Sequence, residues 1–159
     1  MYLIGQARDI HQLIKKNQKT KIVLGGYVTK SNYAIKAWSD GDLVLHAISN
    51  CILGAIAKGD IGMYFPDTSI KNHKLNSKKI LSFCLDLLKK KKYQIINLDL
   101  TILCDKIMIN PLREQIKKSL INLLAKNNKK IQINVKATRF EQNLKVIECD
   151  AITLLQKLM

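Results

Sequence analysis

The sequence predicts an α+β protein with a single domain, residues 1–159, in which helices pack on one face of a mixed β-sheet. Two segments alternate apolar and polar residues with the period of a half-buried strand, Gln94–Cys104 and Ile131–Thr138. Other segments repeat apolar residues at the spacing of an amphipathic helix. No repeat, low-complexity stretch or linker separates these segments, so all of them are expected to share one core.

Three helices are predicted from apolar spacing and from residues that begin or end helices. The first runs from about Asp42 to Ala57, with Asp42 as its N-cap. The second covers Ser77–Lys92 and ends in four lysines, which suit the negative end of the helix dipole. The third opens at Asn110–Pro111, because proline is favoured at the first helical position. Between the first two lies a long predicted loop, Lys58–Asn76, and loops of that length are usually functional or mobile.

Strands are predicted near both ends of the chain. Tyr2–Ile10 has the pattern of a first strand, and the lysines of Lys15–Lys21 indicate a basic turn after it. Two short strands around the Gly25–Gly26 bend predict a hairpin. They are Lys21–Thr29 and Tyr33–Ala37. The pattern of the tail, Val146–Leu155, fits a strand and a helix equally well.

The net charge of +15 raises the question of a nucleic-acid partner. Of the 27 basic residues only three are arginines, Arg8, Arg113 and Arg139, and aromatic residues make up only 6% of the chain. Specific nucleic-acid surfaces usually combine arginine forks with stacking aromatic rings. We therefore expect no specific nucleic-acid partner.

The sequence also bears on location. No apolar run reaches the ~18 residues of a membrane span, so no membrane partner is expected. The N-terminus enters a predicted strand directly and lacks the layout of a signal peptide. The four cysteines show neither metal-type nor disulfide-type spacing. These features predict free thiols and a cytoplasmic protein, or one of an organelle stroma.

The stretch Ser39–His46 concentrates reactive groups where a loop becomes a helix. It holds two carboxylates, a glycine and a histidine within eight residues. His46 lies one turn after the N-cap, and its imidazole is a good ligand for a divalent metal. The five acidic residues before Asp86 all fall within short motifs of this kind, which indicates chemistry at those positions. They are Asp9, Asp40, Asp42, Asp60 and Asp67.

A metal site is predicted from three residues. The pair Asp9 and His11 lies at the end of a strand, where residues two apart share one face. With His46 they make a carboxylate and two imidazoles, a set that suits zinc with one coordination place open. An acidic cap before a half-buried histidine is common as pure structure, so the Asp9–His11 pair is what favours metal. His73, among polar residues, is expected at the surface.

Several runs resemble one known family. Ser39–Gly54 (SDGDLVLHAISNCILG) is similar to the signature of the 2-C-methyl-D-erythritol 2,4-cyclodiphosphate synthase family. Ile4–His11 resembles its metal strand. Further segments fall in the family's order: Gly25–Gly26, Gly59–Gly62, Phe65–Thr68, and Asn134–Thr138 with Glu141. The resemblance covers nearly the whole chain, is most specific up to Thr68, and implies that the tail is a closing strand.

The resemblance implies a phosphorus–oxygen lyase of the non-mevalonate isoprenoid pathway. In the family's reaction the 2-phosphate of 4-diphosphocytidyl-2-C-methyl-D-erythritol 2-phosphate attacks the β-phosphorus, a cyclic diphosphate forms and CMP leaves. The implied cofactors are Zn²⁺ at Asp9, His11 and His46, and Mg²⁺ or Mn²⁺ bridging the diphosphate. Glu141 matches the carboxylate for the second ion, a hard ligand for a hard cation.

The resemblance also implies the site residues. Trp38 and Arg139 stand at the positions of the family's transition-state stabilisers, where the family has histidine and threonine. Asp105–Ile109 stands where the family has its cytidine loop. The implied substrate-binding residues are Asp9, His11, Trp38, Ser39, Asp60, Ile61, Gly62, Phe65, Asp67, Thr68, Thr138, Arg139 and Glu141.

A homotrimer is expected for two reasons. The family has three subunits about a threefold axis, and the predicted sheet offers more half-buried surface than three helices can cover. Three hypotheses about function remain at this point. They are an active synthase, a relative that binds metal and diphosphate with little turnover, and a basic nucleic-acid-binding module. Bound metal separates the third from the others, and CMP release separates the first from the second.

Overall fold

The computed structural model describes residues 1–159 as one five-stranded sheet with four helices. The strands are β1 (Tyr2–Leu24), β2 (Tyr27–Ile35), β3 (Tyr93–Cys104), β4 (Gln132–Thr138) and β5 (Val146–Lys157). The helices are α1 (Leu43–Ala55), α2 (Ile61–Tyr64), α3 (Ser77–Lys90) and α4 (Arg113–Leu124). Single 3₁₀ turns cover Ile70–Asn72 and Asn110–Leu112.

The sheet has strand order β2-β1-β5-β3-β4 and is mixed, as predicted. Only β3 and β4 run parallel, because helix α4 carries the chain between them; the other neighbours are antiparallel. The α+β class is therefore confirmed. The tail, whose pattern fits a strand and a helix equally well, forms β5, the middle strand of the sheet, and pairs with both β1 and β3.

The N-terminal strand was predicted too short. Lys15–Lys21 forms no turn but lies within β1, which pairs with β5 as far as Gln12 and with β2 from Leu13 to Leu24. The register shifts between Lys15 and Thr20, so the polar residues in between bulge out of the hairpin. The Gly25–Gly26 turn of this hairpin is confirmed, with both glycines at positive φ. Correspondingly, β2 is one strand rather than parts of two.

The predicted loop Lys58–Asn76 contains short ordered elements, α2 and a 3₁₀ turn, although no long one. The alternation predicted for β3 holds from Leu98 to Ile102, but the register shifts between Ile95 and Asn97. As a result Ile95 is fully buried, and Ile96 is only half-buried. The four cysteines are buried free thiols. None of the helices is long and apolar enough to span a bilayer.

Helix α1 is the centre of the core. It packs on β1 and β5 on one side and on α3 on the other, which explains why apolar residues surround it. Its boundaries agree with the prediction to within two residues, and Asp42 is its N-cap. The buried apolar residues of the sheet belong to the same core cluster as α1. The opposite sheet face has no layer over it in the single chain.

Gly5 lets α1 approach the sheet. A Cβ at this position would stand 2.0 Å from the carbonyl oxygen of Cys51 and 2.9 Å from the Ala55 Cβ. Gly5→Ala is therefore expected to push α1 away and lower the free energy of unfolding by about 3 kcal/mol or more. Chemical denaturation would measure this. Gly54→Ala is the matched control, because nothing lies within 4 Å of its Cβ, and it should raise stability by about 0.5–1 kcal/mol. A stable Gly5→Ala variant would contradict the packing.

Candidate metal centre and adjoining cavities

The loop before α1 is held by its own two aspartates. Asp40 accepts hydrogen bonds from the amide of Ser77 at 2.9 Å and from the Ser77 hydroxyl, so it ties the loop to the start of α3. Asp42 is fully buried and accepts from the amides of Gly25 (2.8 Å), Gly26 (2.6 Å) and Leu45 (3.1 Å). The clustering of acids was interpreted as chemistry at five positions. At these two positions the structure shows scaffolding contacts instead.

Asp42 fixes the place where α1 begins, and with it His46 one turn later. Its carboxylate joins the β1–β2 turn to the helix N-terminus, and its carbonyl oxygen accepts the His46 amide at 3.1 Å. Burial raises the pKa of Asp42 to about 6, although hydrogen bonds from Gly26, Leu45 and Gly25 act in the opposite direction. The folded protein therefore holds this proton more tightly than the unfolded chain does.

The raised pKa predicts a pH-dependent stability. Because the folded-state pKa lies above the unfolded value, the contribution of Asp42 is fully present below about pH 4 and is lost as pH rises through about 6. The difference in unfolding free energy between wild type and Asp42→Asn should therefore fall by about 2 kcal/mol from pH 4 to pH 7. Denaturation of both proteins across this range measures it. A difference that stays constant with pH would contradict a raised pKa for Asp42.

Asp9, His11 and His46 converge as the sequence predicted. Their potential ligand atoms all lie within 4.8 Å of one another. Asp9 Oδ2 is 3.1 Å from His11 Nε2 and 3.6 Å from His46 Nδ1. Asp9 and His11 come from alternate positions of β1, on the face towards α1, and His46 comes from the first turn of α1. The side chains are largely buried, with 16–22% exposure.

The donor set fits a divalent ion. His11 Nδ1 lies 3.1 Å from the carbonyl oxygen of Lys36 and donates to it, which leaves Nε2, 3.1 Å from Asp9 Oδ2, as the ring nitrogen that could bind a metal. His46 Nε2 is buried without any hydrogen-bond partner. Asp9 Oδ2 lies within 3.6 Å of two imidazole nitrogens, His11 Nε2 and His46 Nδ1, and this is a donor set that a divalent cation would satisfy.

The two imidazoles differ electrostatically. Burial would lower the pKa of His11, but the hydrogen bond to Asp9, the charge of Asp9 and the Lys36 carbonyl together raise it. Burial lowers the pKa of His46, which keeps that ring neutral and available as a ligand. The charge of Asp9 therefore outweighs burial at His11, whereas burial outweighs it at His46.

A cavity of about 750 Å³, here called the metal-side cavity, opens beside this cluster. Its wall is formed by β1, the 36–39 segment, α1, and the stretch from Ile61 to Leu75. The predicted site residues in its lining are His11, Trp38, Ser39, His46, Ile61, Gly62, Phe65, Asp67 and Thr68. Asp60 lies outside the lining; it is exposed and caps α2 by accepting from the Met63 amide.

Trp38 borders the metal-side cavity and is 43% exposed. Its ring packs edge-to-face against His73, with ring centroids 4.8 Å apart. The backbone supports the contact, because the Lys74 amide donates to the Trp38 carbonyl oxygen at 2.8 Å. His73 is exposed, as predicted, but its contact with Trp38 was not foreseen.

A second cavity, of about 260 Å³ and here called the C-terminal cavity, holds the predicted site residues from the C-terminal part of the chain. It is lined by Thr138, Arg139 and Glu141, together with Ile107–Asn110. Within one chain the predicted site is therefore divided between two cavities. The cluster of potential metal ligands does not include Glu141.

Two contributors to the site were missed by sequence reasoning, and a third, Asp105, was named only as part of the Asp105–Ile109 segment. Lys36 acts through its carbonyl oxygen, which no side-chain pattern reveals. Asn50 accepts the Ile61 amide at 2.8 Å and so fixes the start of the cavity wall formed by Ile61 and Gly62. Asp105 accepts amides of the segment after β4. The only signal in the sequence that could have identified one of them is that Asn50 is a polar residue within the apolar helix α1.

The fold and the site together define a class, that of α+β proteins with an aspartate–histidine cluster that could hold a metal ion beside a cavity. The chain matches the YgbB family over residues 2–156 and belongs to that family. A relative from Mycoplasmoides gallisepticum, named 2-C-methyl-D-erythritol 2,4-cyclodiphosphate synthase, is 42% identical over 96% of this chain and 95% of its own length. The resemblance inferred from the sequence is thereby confirmed.

Solved structures show the same relationship. The structure described as the CDP complex of IspF from Plasmodium falciparum has a TM-score of 0.84 and 32% identity, covering 99% of this chain and 97% of that one. The bifunctional IspDF from Campylobacter jejuni has a TM-score of 0.89. At 24% identity this second likeness shows the fold alone, and the present chain spans 43% of that protein's length.

Proposed function

We propose that this protein is a 2-C-methyl-D-erythritol 2,4-cyclodiphosphate synthase, converting 4-diphosphocytidyl-2-C-methyl-D-erythritol 2-phosphate to the cyclic diphosphate and CMP. The observation that supports this most is the Asp9–His11–His46 cluster at the wall of the metal-side cavity. Family membership and named relatives over nearly the whole chain support the same reaction.

The reaction needs positioning and charge neutralisation more than covalent help. Zn²⁺ bound by Asp9, His11 and His46 would supply Lewis-acid stabilisation of a phosphate oxygen. The Lys36 carbonyl holds the His11 ring in the tautomer that a metal requires. The chain from Ile61 to Thr68 offers backbone and side-chain polar groups for the methylerythritol end, beside the apolar ring of Phe65.

The nucleotide end is assigned to the C-terminal cavity. Arg139 is exposed there, and a guanidinium can bind two phosphate oxygens at once. Glu141 supplies a carboxylate for Mg²⁺ or Mn²⁺ at the diphosphate. Arg139 thus offers charge stabilisation where the family has threonine. Trp38 carries no phosphate donor beyond its indole N–H, so its proposed role is to shape the cavity wall.

A homotrimer would bring the two cavities together across a subunit boundary. The uncovered sheet face carries large apolar side chains at unusual exposure: Ile4 at 73%, Ile10 at 52% and Ile152 at 49%. Ile4 and Ile10 share this face on β1, and Ile152 lies on the same face of β5. A closed cyclic arrangement would bury such a repeated patch. Each active site would then draw its metal residues from one subunit and Arg139 and Glu141 from the next.

The test is CMP release by purified protein given the cytidine-diphosphate substrate with Zn²⁺ and Mg²⁺. Stoichiometric CMP supports the proposal. Bound zinc without CMP would favour a relative that binds metal and diphosphate with little turnover. Absence of both, with DNA binding that resists ~0.2 M salt, would favour a nucleic-acid-binding module. We also propose a cytoplasmic or stromal location, for which titration of four free thiols in denatured, unreduced protein is the check.

A further inference from the structure

The segment that follows β4 is held by one side chain from a distant part of the sequence. Asp105, the residue after β3, accepts three backbone amides from this segment. Its Oδ1 accepts from Phe140 at 2.9 Å and Glu141 at 3.1 Å, and its Oδ2 accepts from Leu144 at 2.8 Å. Both carboxylate oxygens are therefore used to hold one loop.

The loop needs such a restraint. Glu141 and Asn143 both have left-handed backbone conformations, with φ of 60° and 57°. Residues with a side chain rarely adopt this region without support. Next to Asp105, the Lys106 ammonium donates to the side-chain oxygen of Asn143. Two neighbouring residues after β3 thus fix four residues of the loop.

These contacts join the two walls of the C-terminal cavity. One wall is Ile107–Asn110, which directly follows Asp105 and Lys106, and the other is Ala137–Arg139 with Glu141. The direction in which Arg139 and Glu141 face the cavity therefore depends on the Asp105 carboxylate. Desolvation is the largest single effect on the pKa of Asp105 and raises it, but the backbone amides of Leu144, Glu141, Phe140 and Gln142 together hold that pKa below its usual range.

We propose that Asp105 is a positioning residue for the nucleotide end of the substrate. By accepting hydrogen bonds from the backbone of residues 140–144, it orients Arg139 and Glu141 towards a nucleoside diphosphate in the C-terminal cavity. This inference rests on the proposed function, since it takes a cytidine diphosphate to be the ligand. Asp105 itself does not contact the ligand, because its oxygens are occupied by backbone amides.

The test is calorimetric titration of CDP in Mg²⁺ buffer into wild type, Asp105→Asn and Asp105→Ala. Asparagine keeps one acceptor oxygen but places an NH₂ group against an amide donor. Asp105→Asn should therefore weaken CDP binding about tenfold, and Asp105→Ala more. Asp86→Asn, the same charge change on the exposed side of α3, should bind CDP like wild type. Hydrogen exchange at Phe140, Glu141 and Leu144 should accelerate in the Asp105 variants only.

The outcomes separate the two proposals. If both Asp105 variants melt at lower temperature but bind CDP within about twofold of wild type, Asp105 is only structural and the inference is overturned. If wild type releases CMP, but CDP affinity does not change when hydrogen exchange shows that residues 140–144 have loosened, the inference alone is likewise overturned. If wild type neither binds CDP nor releases CMP, the proposed function fails, and the positioning role fails with it.

Discussion

His46→Ala is expected to remove bound zinc and to reduce CMP release by about a thousandfold, since Lewis-acid stabilisation of a phosphoryl transfer is worth several kcal/mol. The fold should survive, because the ring lies at the cavity wall, outside the apolar core that α1 forms with the sheet. Zinc per chain by elemental analysis, circular dichroism and initial rates together measure the effect.

His73→Ala is the matched control for this variant. It removes the third histidine, which lies outside the metal cluster and in contact with Trp38. Zinc content should remain at about one per chain. If His46→Ala keeps its zinc, or if wild type carries none after growth with zinc, the metal centre is assigned to the wrong residues.

Recovery of activity in mixed trimers is the second large effect. His46→Ala and Glu141→Ala should each be nearly inactive alone, because each removes one side of every shared site. In randomly mixed trimers of the two variants, each subunit interface has an intact His46 on one side in about half of cases and an intact Glu141 on the other in about half. About one interface in four is therefore complete, and about a quarter of wild-type activity should return. Native mass spectrometry establishes that mixed trimers have formed, and CMP release measures the recovery.

The double variant His46→Ala, Glu141→Ala mixed with wild type distinguishes recovery from simple dilution. In this mixture too, about a quarter of the subunit interfaces are complete, because both neighbouring subunits must be wild type. The activity of this second mixture therefore gives the level expected for the mixture of single variants at the same protein concentration. Mixed trimers of the two single variants without activity would show that each site lies within one chain, and a monomeric protein would exclude the shared site.

The parts of the fold that depend on local sequence were predictable. The first helix, its Asp42 cap and the Gly25–Gly26 turn follow from residue spacing and from backbone preferences within a few positions. The Asp9–His11 pair was predictable for the same reason, because strand alternation alone places both side chains on one face.

Longer-range features were not predictable in the same way. The lysine-rich stretch at Lys15–Lys19 has the composition of a turn, and only pairing with β2 shows that it continues a strand through a bulge. Asp40 was interpreted as chemical, yet its partner is Ser77, 37 positions away. Gly5 and Cys51 meet only because α1 crosses β1 there, and sequence spacing contains no information about that distance.

Isotope labelling tests directly whether this chain closes a cyclic diphosphate by intramolecular attack. The reaction would run in water enriched in ¹⁸O, followed by mass spectrometry of both products. When the 2-phosphate oxygen attacks the β-phosphorus and the bridging oxygen leaves with CMP, no solvent oxygen enters either product. We expect unlabelled CMP and an unlabelled cyclic diphosphate in equal amounts. Incorporation of ¹⁸O into either product, or CMP formed without the ring, would show hydrolysis and contradict the account.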